Sequence, residues 1–156
     1  MTTERVSATI NGAPFEGAVE PSELLLDFLR ERLGLTGAKQ SCEVQVCGVC
    51  TVLVDGHPVS SCCYLAADID GHEVETIEGL AGSDFHRRAA DAFMRHAAVQ
   101  CGFCTAGMLL TAKALAARGV GGDRDEIAAA MSGNLCRCTG YRSILDSLTE
   151  ILSGTP

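Results

Sequence analysis

Nine cysteines among 156 residues constrain this chain more than any other feature it has. The opening residues, Met1-Thr-Thr-Glu-Arg5, carry no apolar run of the kind an export signal needs, so the expected setting is the cytoplasm, where thiols stay reduced. A complete set of disulfides would also leave one cysteine over. Metal or cluster ligation is therefore the expected organiser of the fold.

Eight of the nine fall into two sets. Cys42, Cys47 and Cys50 form C-x4-C-x2-C, the spacing of plant-type [2Fe-2S] ligation, and the vicinal pair Cys62 and Cys63 follows beyond a strand hairpin. A loop curled around a cluster presents sulfurs from several directions, and a hairpin can carry a distant fourth thiolate back to the same spot. A four-cysteine zinc site is the rival, although it usually takes two C-x2-C turns. Neighbouring strand residues point to opposite faces, so one member of the vicinal pair is expected at the cluster and the other as a buried apolar filler. Spacing does not choose between them. The second set is Cys101-Gly-Phe-Cys104 with Cys136-Arg-Cys138, two close pairs for which spacing leaves zinc and [2Fe-2S] both open. Arg137, between two ligands, either offsets cluster charge or is an ordinary solvated arginine.

The first half alternates apolar and polar residues through Val6, Ala8 and Ile10 to Asn11-Gly12, then resumes through Phe15 and Val19, which predicts a hairpin. Leu25, Phe28, Leu29 and Leu33 at helical spacing, after Pro21-Ser22 and before Gly34, predict a helix over about 22 to 33. Strands are expected at 51–54 and 58–60 around Asp55-Gly56, with a further extended run through Val74 and Ile77. Past Glu78-Gly79 alanines multiply and helices are expected at roughly 84–98, 105–118, 124–131 and 141–152, with Asp123-x-x-Glu126 as a capping box and Gly119 as a stop. The expected class is α+β: a small mixed-sheet domain over residues 1–80, then a four-helix bundle over 81–156.

A formal charge of -8 gives phosphate no partner, so nucleic acid and anionic membrane surfaces are not expected ligands. The most apolar stretch, Ala106 to Ala117, is broken by Thr111 and Lys113, so no membrane span is expected. The chain is too short for a whole flavin or molybdenum enzyme and lacks G-x-G-x-x-G and G-x4-G-K-[ST] signatures. His57, His72, His86 and His96 are scattered, and Ser22, Ser41 and Ser132 have no base partner. Nucleophilic catalysis has no support.

Three runs carry a resemblance: Cys47-Gly-Val-Cys50-Thr-Val-Leu-Val-Asp-Gly56, Gln100-Cys-Gly-Phe-Cys104-Thr-Ala-Gly-Met108, and Gly133-Asn-Leu-Cys136-Arg-Cys138-Thr-Gly-Tyr141. In order, and over nearly the whole chain, the sequence resembles the small iron-sulfur subunit of molybdenum hydroxylases, the xanthine dehydrogenase and aerobic carbon monoxide dehydrogenase family. The resemblance implies an N-terminal β-grasp, plant-type ferredoxin-like domain and a C-terminal four-helix domain, each with one [2Fe-2S] cluster. It implies Cys42, Cys47, Cys50 and Cys62 as ligands of one cluster and Cys101, Cys104, Cys136 and Cys138 as ligands of the other. It also implies electron transfer from molybdopterin in a large subunit, through both clusters, to FAD in a medium subunit, in a heterotrimer or a dimer of heterotrimers. Gln100 and Cys138 are the residues it places toward molybdopterin. Two departures bear on the loops: Ser41, Val44, Gln45 and Val46 replace residues that are commonly glycine-rich, and Ala106 stands where proline is frequent. Met108, Leu109 and Phe103 are expected mainly as core of their own helix. A two-zinc scaffold module and a free-standing ferredoxin are the alternative functions.

Overall fold

The computed structural model describes residues 3–154. The predicted hairpin forms as β1 (Glu4–Ile10) and β2 (Ala13–Val19), in register from Glu4 opposite Val19 to Ile10 opposite Ala13. Its turn is Asn11-Gly12, both at positive φ (51° and 78°), the geometry a two-residue hairpin loop requires. β3 (Thr51–Val54), β4 (His57–Ser60) and β5 (Glu73–Glu75) complete a five-stranded sheet of order β2-β1-β5-β3-β4. β1 and β5 run parallel and the other neighbours antiparallel. Pro58 is confined to edge strand β4, where a missing N–H costs the ladder nothing.

The first helix departs from its expected bounds. α1 spans only Leu25–Asp27 and passes into a π-helical turn, Phe28–Arg32, closed by Leu33 N–H to Phe28 O. It cannot begin at Ser22, because the backbone there pairs with a distant segment: Ala66 N–H donates to Glu23 O and Leu25 N–H to Tyr64 O, at 2.8 and 2.7 Å. The wider π turn keeps Leu25, Leu26, Phe28 and Leu29 all buried against Val6, Ile10, Val52 and Val74 of the sheet. Ile77 is likewise not extended. It opens α2 (Ile77–Leu80), after Thr76 has exchanged hydrogen bonds with the Asn11 side chain.

The helical half follows expectation: α3 (Asp84–Arg95), α4 (Thr105–Ala117), α5 (Arg124–Ala130) and α6 (Arg142–Ser153). The Ser83 hydroxyl caps α3 and the Asp123 carboxylate caps α5, accepting from Asp125 and Glu126 N–H groups. The reciprocal bond of a full capping box is not formed among the described residues. α3 stops three residues early, at His96 and Ala97, the latter at φ 51°.

Two cores result, and they meet at β3. Val52 and Val54 face the α1 side, while Leu53 joins Leu80, Phe93, Met108, Leu110, Ile127, Ile144 and Leu148 in the helical core. All four β3 residues are buried because both faces of that strand are covered. α4 is correspondingly apolar around its circumference, with eight buried residues from Gly107 to Leu115. Leu53→Ala would cost ~3 kcal/mol in transfer and cavity energy and would loosen both halves. Among the described residues no helix is long and apolar enough to cross a membrane.

Candidate iron-sulfur sites

The N-terminal thiols lie on the 41–50 loop and on a 3-10 turn, Ser61–Cys63, that follows β4. Cys50 and Cys62 are buried, and Cys42 and Cys47 half-buried. The Ser61 hydroxyl, itself buried, donates to Cys50 O at 2.6 Å and so pins the turn against the loop. The loop has two non-glycine residues at positive φ, Glu43 (56°) and Gln45 (58°). Gln45 is one of the positions where the commonly glycine-rich residues are missing; Glu43 is not, and the conformation is strained at both. The curl aims N–H groups at sulfur: Val46 and Cys47 N–H both lie 3.4 Å from Cys42 Sγ. Together with Val44 they lower the Cys42 pKa to about 6. Burial pushes Cys50 the other way, up to about 11.

The C-terminal thiols come from two helix ends. Cys101 and Cys104 precede α4, while Cys136 and Cys138 sit on the loop before α6. Cys101 and Cys138 are exposed, with their sulfurs 3.5 Å apart. Burial and the neighbouring Cys136 raise Cys104 to about 12. Cys136 is burdened by burial too, but the Thr139 hydroxyl, 3.2 Å from its sulfur, and the N–H groups of Cys138 and Thr139 lower it overall. Tyr141, at φ 69°, fixes this loop: its hydroxyl accepts the Cys136 N–H at 2.8 Å, and its own N–H donates to Thr139 Oγ1 at 3.3 Å.

At each site the sulfurs are arranged in pairs. The Cys101 and Cys138 sulfurs lie 3.5 Å apart, and Cys42 interacts with Cys47, Cys50 with Cys62 and Cys104 with Cys136. Two thiolates on one tetrahedral metal, at about 2.3 Å each, stand ~3.8 Å apart, so the Cys101–Cys138 separation suits an edge on one metal atom. Two pairs per site suit a binuclear cluster, with two thiolates on each iron.

The two sites share a wall. Leu135 N–H donates to Cys47 O at 2.8 Å, and the buried Asn134 side chain donates to Gly48 O at 3.1 Å. Gly48 has no room for a side chain, since a Cβ would lie 2.3 Å from Gly133 O, and a Cβ on Gly107 would meet Gly48 O at 2.2 Å. A cavity of about 520 Å3 opens beside the C-terminal thiols, and Cys47 of the other site contributes to its lining.

Of the other anticipated residues, Gln100 is exposed beside Cys101, and Arg137 is exposed on the cavity wall. Met108 and Leu109 are core, as expected, but Phe103 is 45% exposed and lines that cavity. Cys63 is not the buried filler expected of it: it is exposed, and its sulfur lies 3.7 Å from that of Cys62. Strand alternation does not apply, because the pair lies on a 3-10 turn. Of the histidines, His72 pairs with Asp55 and His96 with Glu150. Sequence reasoning gave Thr139 and Tyr141 no role of their own, although both lie in the Gly133–Tyr141 run that carries the resemblance.

Fold and thiol geometry define a two-centre iron-sulfur protein with a ferredoxin-like half and a helical half. Residues 8–81 match a 2Fe-2S iron-sulfur cluster binding domain, and residues 76–149 a [2Fe-2S] binding domain. The chain is 45% identical over 144 residues to the nicotinate dehydrogenase small FeS subunit of Eubacterium barkeri, covering 92% of each. Against quinoline 2-oxidoreductase from Pseudomonas putida 86 the TM-score is 0.91 at 50% identity, over 98% of this chain and 95% of that one. Against the aldehyde oxidoreductase from Desulfovibrio desulfuricans ATCC 27774 it is 0.88 at 34% identity, over 96% of this chain and 17% of a much longer one. The chain belongs to the small iron-sulfur subunits of the molybdenum hydroxylase family, and it serves electron transfer through two [2Fe-2S] clusters.

Proposed function

We propose that this chain joins a cytoplasmic heterotrimer, in which a large subunit holds molybdopterin, a medium subunit holds FAD, and this chain conducts between them. Cys42, Cys47, Cys50 and Cys62 hold the cluster on the flavin side, and Cys101, Cys104, Cys136 and Cys138 the cluster on the molybdenum side. The division falls near residue 80, with 1–80 and 81–156 as the two cluster-bearing units. Each cluster, when bound, takes up and passes on one electron.

The chain's own part is to fix the ligands, exclude water and link the two centres. The observation that carries the reading is the Leu135 N–H to Cys47 O bond of 2.8 Å. It joins a ligand of one site to the residue directly before a ligand of the other, with only backbone atoms between. Gly48 and Gly107 permit that approach, and Asn134 holds it in place. Exposed apolar side chains flank each site separately, Val44 and Val46 on the first loop, Phe103 and Leu135 at the second. Such patches, next to redox centres, suit two different partner surfaces. Gln100 and Cys138, both exposed at the second site, are the groups proposed to approach molybdopterin. The aldehyde oxidoreductase, where the matching region is 17% of one long chain, supports the view that the remaining parts here lie on other chains.

The names nicotinate dehydrogenase and quinoline 2-oxidoreductase belong to proteins acting on nitrogen heteroaromatics, and the proposed substrate class of the complex is the same. Affinity purification of the tagged chain from its native cells tests the whole reading. Two larger chains, molybdenum, FAD, iron and acid-labile sulfide are expected, with reduction by an N-heteroaromatic but not by an aldehyde. A colourless, zinc-loaded chain without partners would overturn it.

A further inference from the structure

The N-terminal site contains one thiol more than its cluster needs. Cys63 is exposed while its neighbour Cys62 is buried, yet their sulfurs lie only 3.7 Å apart. That is close to the ~3.8 Å edge between two thiolates on one tetrahedral metal. The Cys63 sulfur also lies 3.7 Å from Glu43 O, the carbonyl of the residue directly after Cys42, so it stands against the ligand loop. The 3-10 turn Ser61–Cys63 permits this arrangement, because its successive side chains are about 120° apart around the axis, not on opposite faces as in a strand.

We propose that Cys63 is a fifth thiol ligand of the N-terminal site, able to take the iron that Cys62 holds. The proposal rests on Cys62 being the resident fourth ligand. In the exchange one iron–sulfur bond to Cys62 breaks and one to Cys63 forms, and the proton leaving the Cys63 thiol ends on the Cys62 sulfur. No electron is gained or lost. Cys63, being exposed, is also the thiol that recaptures an iron loosened from the buried position.

Intact complexes carrying Cys62→Ala, Cys63→Ala and the double substitution decide the matter, read by iron and acid-labile sulfide per chain and by EPR after dithionite. The Cys62→Ala complex should keep about four irons per chain, two for each [2Fe-2S] cluster, with a shifted N-terminal signal. The double variant should keep about two, the C-terminal signal serving as the internal reference. The Cys63→Ala complex should match the parent. If Cys62→Ala loses as much iron as the double variant, the reserve ligand is refuted while Cys62 stands as resident. If Cys63→Ala loses the cluster and Cys62→Ala is unchanged, the resident assignment itself falls. Should the Cys62→Ala chain not assemble, chelator challenge of the Cys63→Ala complex decides: severalfold faster loss of the N-terminal signal than in the parent supports the proposal, and equal rates overturn it.

Discussion

Cys42 and Cys104 show how far two thiols of one chain can diverge. Three backbone N–H groups of the 43–47 curl lower the first to about 6, and burial against a second thiol raises the other to about 12. At pH 7 the metal-free chain then has Cys42 mainly as thiolate and Cys104 as thiol. Iodoacetamide should therefore modify Cys42 first and Cys104 last, with the Cys42 rate rising from below pH 6 and levelling above pH 7. Peptide mass spectrometry on a time course measures this, and a Cys42 midpoint near 9 would show that the loop does not hold its curl without metal. Thr139 acts on the other centre. Its hydroxyl donates to Cys136 Sγ and is itself oriented by the Tyr141 N–H. A donor to a ligand thiolate favours the more negative, reduced state of the centre. Thr139→Val should lower the midpoint potential of the C-terminal cluster, a tenfold shift in the reduction equilibrium being ~59 mV for one electron, and Thr139→Ser should restore it. Potentiometric EPR titration separates this from a structural effect, which serine and valine would share. At this scale the cysteine spacings and the kind of cluster were legible in the sequence. The place of Cys63 was not, because the alternation argument presupposed a strand where the chain makes a 3-10 turn.

Elements were legible where a periodic run ends in its own stop signal. The Asn11-Gly12 hairpin, α4 with Gly119 and α5 with Asp123 needed only local information. They failed where distant backbone intervened: the pairing of residues 23–25 with 64–66 delays α1, and the Asn11 side chain turns Ile77 into a helix start. α4 carries the strongest element-level constraint. Gly107 is an ordinary helical position in φ, so an added methyl is excluded only by space, and the atom in the way is the Gly48 carbonyl oxygen at 2.2 Å. Backbone cannot swing aside as a side-chain tip can. Gly107→Ala should displace the 47–50 loop from α4 and destabilise the chain by ~2–3 kcal/mol, although alanine is the better helix former. Urea titration of the complex, with both cluster signals followed, measures it. The N-terminal signal should change first, and a neutral or stabilising outcome would mean the loop and α4 are not in contact.

Across the whole molecule the two centres are both joined and separately presented. α4 and Leu53 fuse the two cores, and Leu135 N–H to Cys47 O bridges the sites, so the halves are less independent than two runs of cysteines suggest. Their outer surfaces nevertheless differ, with Val44 and Val46 exposed at one and Phe103 and Leu135 at the other. A chain built to present two faces should conduct in one order. Cys47→Ser would weaken the N-terminal centre, because an alkoxide is a harder and far more basic ligand than a thiolate. The packing at β3 and α4 does not depend on the Cys47 sulfur, so the C-terminal centre should stay intact. Anaerobic substrate should then reduce the C-terminal cluster while the flavin stays oxidised. Cys136→Ser should act differently, leaving the N-terminal cluster and the flavin both oxidised. It should also weaken molybdopterin retention, since Cys138 and Gln100 stand beside that loop. Low-temperature EPR of each purified complex after adding substrate, with flavin absorbance followed in parallel, reads both outcomes. Rapid flavin reduction in a Cys47→Ser complex verified to lack its N-terminal cluster would refute the order, and the Leu135–Cys47 bridge would then be a structural tie alone.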